Sequence, residues 1–281
     1  MRFRTEIEQI KSNVSIGAET PVLMLGSCFT DEIGQQLAAD GFKVMHNPMG
    51  PLYNPASILN QISHPAYSEA DLTPGPRGYH CLDFATKYSG ESAAELLETL
   101  NGELKALHEF MTLKPVVFIT LGSAFVYRHL ASDRIVGNCH KFPAGDFERT
   151  LLPLAQIKAM LELIIDAFTG CRGVIFTVSP IRHLADGLHG NSISKSFLQT
   201  ALYEISQVKH EVAVEYFPAY EIMLDDLRDY RFYAEDMKHP SPVAVDYIYE
   251  RFAQTYFDAK TRATAAENRK KYLASRHRPI L

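Results

Sequence analysis

With 281 residues, 46% of them hydrophobic and 22% charged, the chain is long enough to bury a substantial core without disulfide or structural-metal support. A formal net charge of −5 gives no electrostatic case for nucleic acid or an anionic membrane surface as a partner. The four cysteines, Cys28, Cys81, Cys139 and Cys171, form no CxxC pair, which argues against a zinc knuckle and for reduced thiols.

Residues 1–20 mix charged and polar side chains without the apolar centre of a signal peptide. No run of about 18 apolar residues offers a membrane span. The expectation is a soluble, cytoplasmic protein forming one domain over 1–281.

Pro21 marks the approach to a first strand, Val22–Leu25, which ends in Gly26-Ser27. A helical pattern follows almost at once, with Ile33, Leu37 and Ala38 on one face, and Gly41 breaks it. Phe42–His46 reads as a second strand. The next stretch, Asn47–Pro55, holds three prolines and a glycine and is a turn-rich loop before a helix at Ala56–Ile62. Residues 63–91 show no period and include Arg77-Gly78-Tyr79-His80; they form an insertion that either overhangs the sheet edge as a lid or is a plain surface loop.

Leu96, Leu100, Leu104, Leu107 and Met111 stripe a helix over Ser92–Met111. Pro115–Leu121 is a continuous apolar run, the pattern of a third strand buried on both faces. A second excursion occupies 126–153. Helix then follows at Leu154–Phe168, a fourth strand at Val174–Val178, helix at Ser192–Gln207 and a fifth strand at Val212–Phe217. Tyr220–Asp229 and Val243–Phe257 read as helical. The tail, 261–281, carries Glu267, Arg269, Lys270 and Lys271 without a sustained apolar face, so it reads as a solvated helix.

Five strands alternating with helices predict an α/β fold, a three-layer α/β/α sandwich on a five-stranded parallel sheet. In such sheets ligands gather at the carboxyl ends of the strands, where Ser27 stands beside a helix N-terminus. A serine nucleophile needs a base, and Asp236-Met237-Lys238-His239-Pro240 presents a histidine with a carboxylate three residues before it. Taken singly, Ser27 reads equally as a helix cap and His239 as an ordinary loop histidine. Together, in the order Ser, Asp, His, they point to acyl transfer.

Several blocks extend this pattern: Gly26-Ser27-Cys28-Phe29, Asn47-Pro48-Met49-Gly50-Pro51-Leu52-Tyr53-Asn54-Pro55, Thr120-Leu121-Gly122-Ser123-Ala124-Phe125, Gly137-Asn138-Cys139-His140-Lys141, Thr177-Val178-Ser179-Pro180-Ile181-Arg182-His183, and Asp229–Tyr233 through His239-Pro240-Ser241. On these the chain resembles the GSCFA-domain family, a branch of the SGNH (GDSL-like) hydrolase superfamily. The resemblance implies the flavodoxin-like strand order 2-1-3-4-5. It also implies a triad of Ser27, His239 and Asp236, and an oxyanion hole built from the Ser27 N–H, the Gly50 N–H and an asparagine amide.

The superfamily's usual Gly-x-Asn-Asp is replaced here by Gly122-Ser123-Ala124-Phe125. Asn138 is therefore either the substitute donor or a turn-forming residue. Gly26 likewise replaces the aspartate that often precedes the serine. His140, Arg182 and His183 are candidate substrate contacts, each with a structural alternative. Cys28 competes with Ser27, because a thiol is the better nucleophile. Adjacent side chains at a helix start diverge by about 100°, so only one of the two faces the crevice. The resemblance selects Ser27 and leaves Cys28 packed behind it.

His183 and His189 lack acidic or cysteine company, so neither a catalytic metal nor a cofactor is expected. The function implied is hydrolysis of small-molecule or carbohydrate acyl esters, O-acetyl groups foremost, through an acyl-enzyme. An acyltransferase or a non-catalytic binding module on the same fold are the alternatives.

Overall fold

The computed structural model describes residues 4–76 and 78–276; Arg77 of the expected lid and the last five residues of the tail lie outside the described residues. Five parallel strands form the central sheet: β1 (Val22–Gly26), β2 (Val44–His46), β3 (Val116–Leu121), β4 (Gly173–Val178) and β5 (Val214–Tyr216). Their spatial order is β2-β1-β3-β4-β5, the expected 2-1-3-4-5 arrangement. Among the described residues the helices of nine residues or more are α1 (Cys28–Ala39), α2 (Pro55–Ser63), α3 (Ala93–Thr112), α4 (Leu154–Ala167), α5 (Gly187–Ser206), α6 (Pro242–Tyr256) and α7 (Ala259–Arg276), and the helix expected at Tyr220–Asp229 is a short turn, Ala219–Glu221, running into a π-helix, Ile222–Asp226. Among the described residues no helix is long and apolar enough to cross a membrane.

Alternation along the strands sorts their side chains into two cores. Leu23 and Leu25 of β1, with Val117, Ile119 and Leu121 of β3, meet Leu96, Leu100, Leu104 and Leu107 of α3 and Ile157, Leu161 and Ile164 of α4. Val22, Met24, Val116 and Phe118 meet Phe29, Ile33 and Leu37 of α1 and Val245, Ile248 and Phe252 of α6 on the opposite face. Each such side chain, when fully buried, contributes roughly 1.5–3 kcal/mol over its exposed state. The central strands thus have no polar face, which is why they read as unbroken apolar runs.

Three stretches differ from expectation. The described residues of 63–91 are a packed buttress and not a lid. Three antiparallel strands, Leu72–Gly75, Gly78–Cys81 and Ser89–Gly90, bring Tyr67, Cys81, Phe84 and Tyr88 into the first core. The second excursion is a separate antiparallel sheet of Phe125–His129, Arg134–Val136 and Phe147–Leu151. The buttress holds it from behind, because the Leu82 carbonyl accepts the N–H groups of Gly137 (3.0 Å) and Asn138 (2.8 Å).

The polar tail does not stand free as a solvated helix either. In α7, Arg269 donates to Asp40 Oδ1 at 2.5 Å and to the side-chain and backbone oxygens of Gln36, and Asn268 Nδ2 donates to the Asp40 carbonyl at 3.0 Å. Asp40 is buried and also accepts the Tyr249 hydroxyl at 2.5 Å. A charged tail without an apolar face docks here through one buried carboxylate, an attachment that hydrophobic periodicity does not register.

The end of β1 is tight. Gly26 has φ +134°, and a Cβ there would sit 2.1 Å from the Thr120 carbonyl oxygen of β3. We expect Gly26→Ala to lower the unfolding free energy by more than about 1 kcal/mol in urea denaturation. An unchanged midpoint would mean that the turn tolerates a side chain and is not set by this contact.

Candidate active site

Ser27 is the N-cap of α1, yet its side chain makes no capping bond. Its hydroxyl is fully buried and donates to Ser179 Oγ at 3.0 Å, and its N–H is occupied by the Thr120 carbonyl at 3.1 Å. Cys28, the first residue of α1, points the other way. Its Sγ lies 3.6 Å from His239 Nε2 and is hydrogen-bonded by the Tyr53 hydroxyl. The expectation places Ser27 at the crevice with Cys28 packed behind it, and the structure has them the other way round. The helix starts one residue too late for Ser27 to face the crevice, so the structure does not bring Ser27 to His239.

The Asp236–His239 loop brings its carboxylate and imidazole into contact. His239 Nδ1 donates to Asp236 Oδ2 at 2.5 Å, and Asp236 Oδ1 accepts the backbone N–H groups of Lys238 (2.9 Å) and His239 (3.0 Å). These bonds hold the Asp236 carboxyl well below the usual carboxylate range. An ionised Asp236 fixes the proton on Nδ1 and leaves Nε2 as the acceptor that faces the thiol. Met237 takes φ +58° inside the loop. Arg182 latches the loop from outside through its N–H to the Lys238 carbonyl (3.1 Å) and its Nη1 to the Met237 carbonyl (3.2 Å).

Burial pushes the Cys28 thiol up, and Asp31 and Glu32 add to the rise; the Tyr53 hydroxyl and the residue's own N–H oppose it. The thiol is therefore protonated at neutral pH, and its proton has to leave during attack, towards His239.

A cavity of about 640 Å³ opens over Cys28 and His239. Phe125, Tyr127, Phe142 and Phe147 of the second excursion wall one side, and Arg149, Arg182, His183 and Lys238 line the rest. Asn138 also lines it, and its Oδ1 accepts the His140 N–H at 2.8 Å and the Thr86 hydroxyl at 3.2 Å. With the oxygen so engaged, the amide nitrogen is the end left for a ligand. His183 is neutral: burial, with Lys195 and Arg149 nearby, pushes it down to about 3. Its ring stands edge-on to Tyr53 at 5.4 Å.

Two further expected residues do not reach the cavity. The Gly50 N–H is occupied by the Asn47 carbonyl at 2.8 Å within its own turn, and a Cβ there would meet Ala85 Cβ at 2.3 Å. Gly50 is a turn-and-packing glycine and not an oxyanion donor. His140 is buried, shares Nε2 with the Phe84 carbonyl at 2.8 Å and packs edge-on against His80 at 5.3 Å. Burial lowers its pKa, and it serves as a packed core histidine.

Sequence reasoning missed four residues that build this site. Asn47 staples the β1–α1 turn, accepting the Gly26 N–H at 2.9 Å and donating to the Ser27 carbonyl (3.3 Å) and Asp31 (3.1 Å). The Tyr53 carbonyl accepts both Gly122 N–H and Ser123 N–H at 2.7 Å while its ring stands at the thiol. Ser179 receives Ser27. Lys195 of α5 is wholly buried, its Nζ donating to the carbonyls of Gly122 (2.7 Å) and Ser179 (2.8 Å). It thereby ties the ends of β3 and β4 together. One signal was available for it: Lys195 falls on the buried stripe with Leu198, Leu202 and Ile205, a helical spacing where a lysine is out of place.

Burial pushes the Lys195 ammonium down to about 7, against about 10.5 for an exposed lysine. Between these values the unfolded chain binds the extra proton, so this group's contribution to stability rises with pH from about 7 to about 10.5. Unfolding free energies of the wild type should therefore climb over that window by up to about 1.4 kcal/mol per pH unit relative to Lys195→Met. Parallel pH profiles for the two proteins would contradict this.

Among the described residues no group of three or more His, Cys, Asp or Glu side chains is arranged to hold a metal ion. A search of curated proteins finds no significant match to the sequence. Among solved structures, a carbohydrate esterase family 3 from Talaromyces cellulolyticus aligns over 88% of this chain and 99% of its own, at 9% identity and a TM-score of 0.39. The sequence model of the GSCFA family matches residues 21–252, most of the chain and every element of the cavity just described. The protein belongs to the GSCFA family.

Proposed function

We propose that the protein is an esterase-type acyl hydrolase in which Cys28 is the nucleophile, His239 the general base and Asp236 the carboxylate that orients it. The carrying observation is the relay itself: Sγ 3.6 Å from Nε2, with Nδ1 held on Asp236 at 2.5 Å. Nothing comparable surrounds Ser27, whose hydroxyl is buried against Ser179. A binding module has no use for a base with its own orienter beside a thiol, which favours catalysis.

In the first step Sγ attacks the acyl carbon while its proton passes to His239 Nε2. A carbon–sulfur bond forms and the carbonyl oxygen becomes an oxyanion. Cys28 heads α1, so its own N–H has no intrahelical acceptor and points at the site together with the positive end of the helix. The amide nitrogen of Asn138 is the second donor. Collapse breaks the ester carbon–oxygen bond, and the proton on His239 goes to the leaving alcohol. Water, deprotonated by the same histidine, then cleaves the thioester to release the carboxylic acid and the free thiol. A hydroxyl acceptor in place of water gives acyl transfer by the same steps.

With p-nitrophenyl acetate as probe, Cys28→Ala should abolish turnover, and Asp236→Asn should lower kcat by roughly a hundredfold or more. Ser27→Ala should stay within about tenfold of wild type while losing about 1 kcal/mol of stability with its buried hydrogen bond. Loss of turnover in a folded Ser27→Ala variant, with turnover kept in Cys28→Ala, would return the nucleophile to the serine.

A further inference from the structure

The chain as a whole is acidic, at −5, yet among the described residues no aspartate or glutamate lines the cavity. Two arginines and a lysine do. Arg149 is neutralised from behind, its Nε and Nη2 on Asp186 at 2.6 and 2.5 Å, and its guanidinium is stacked 4.6 Å from the Tyr127 ring. The nearby Asp236 carboxylate is itself taken up by the His239 ring and by the backbone N–H groups of Lys238 and His239. Arg182 and Lys238 differ from Arg149, since among the described residues neither forms an ion pair.

Arg182 is held in place by its neighbours. Its guanidinium sits 5.8 and 5.5 Å from the rings of Tyr230 and Tyr233, and among the described residues its only acceptor is the Met237 carbonyl. Of five N–H donors one is engaged, which leaves a side of the planar fork for a carboxylate or phosphate. Asp229, which lines an adjoining pocket together with Arg182, accepts the Arg231 N–H at 3.0 Å, and Asp225 pairs with Arg228 at 3.4 Å. Half-buried against Tyr230 and Tyr233, Arg182 acts on an entering charge more strongly than a fully solvated cation would, and the exposed Lys238 adds a weaker, screened attraction.

We propose that the cavity selects acyl substrates bearing a negatively charged group, a carboxylate or a phosphate, with Arg182 reading that group and Lys238 supporting it. This names the substrate class for the Cys28 reaction and rests on that reading. The apolar part of the substrate lies on the Phe125–Phe147 wall while the anion is held at the mouth beside His239. The competing role for Arg182 is to latch the Asp236–His239 loop alone, and such a role is blind to ligand charge.

The test measures binding without chemistry, in full-length Cys28→Ala protein, by calorimetry with phenylacetate, phenyl phosphate and neutral phenylacetamide. At least one anion should bind about tenfold or more tightly than the amide. That gap should shrink with added salt, close in a Cys28→Ala, Arg182→Gln protein and persist in part with Arg182→Lys. Whichever anion binds more tightly identifies the group. Equal affinities, no binding of any probe, or a gap that survives Arg182→Gln would overturn the proposal. Should Arg182→Gln fail to fold, the salt dependence and Lys238→Gln carry the same comparison. Turnover of p-nitrophenyl acetate by the wild type separates the two claims: a folded wild type without turnover, with the anion preference preserved in Cys28→Ala, would remove the hydrolase reading and leave the anion site standing.

Discussion

The Thr120 carbonyl accepts the N–H of Ser27 at 3.1 Å, and this bond, with the positive φ of Gly26, sets the residue at which α1 begins. Since successive side chains at a helix start point about 100° apart, the starting residue decides which of two adjacent nucleophiles enters the crevice. Here α1 starts at Cys28. Ser27 turns inward to Ser179, Cys28 turns outward to His239, and the chemistry proposed for the cavity follows from that one register.

Beneath the thiol lies a layer of polar groups whose hydrogen bonds run between elements. Asn47 ties the β1–α1 turn to its loop, Tyr53 ties that loop to the end of β3, and Lys195 ties β3 to β4. Buried polar groups are costly unless satisfied, and once satisfied they admit few alternative geometries. The carboxyl edge of the sheet is thereby a rigid floor. The mobile chemistry is confined to the thiol, the imidazole and the water or alcohol between them. The second excursion supplies the aromatic wall, and the buttress at 63–91 supports it from the side away from substrate.

Much of this architecture is legible in the sequence. The three central strands appear as nearly unbroken apolar runs because both faces of the sheet are buried there, and α3 appears as a leucine stripe because one face is. Asp236 and His239 are legible because their partnership is local, three residues apart in one loop. What escapes is non-local or turns on a single residue of register. Ser27 and Cys28 are indistinguishable until the start of α1 is known. Gly50 and His140 fall within motif blocks, but hydrogen bonds to Asn47 and Phe84 occupy them, and no spacing records that. Lys195 and the docking of α7 on Asp40 depend on partners 73 and 229 residues away.

The central claim is that a thiol, and not the neighbouring hydroxyl, carries the acyl group. Acid quench of the enzyme during turnover of p-nitrophenyl acetate, followed by peptide mapping of the trapped acetyl group, tests this most directly. The account predicts acetyl on Cys28 as a thioester, released rapidly by neutral hydroxylamine and absent from Cys28→Ala. An oxygen ester on Ser27, stable to the same treatment, would contradict it.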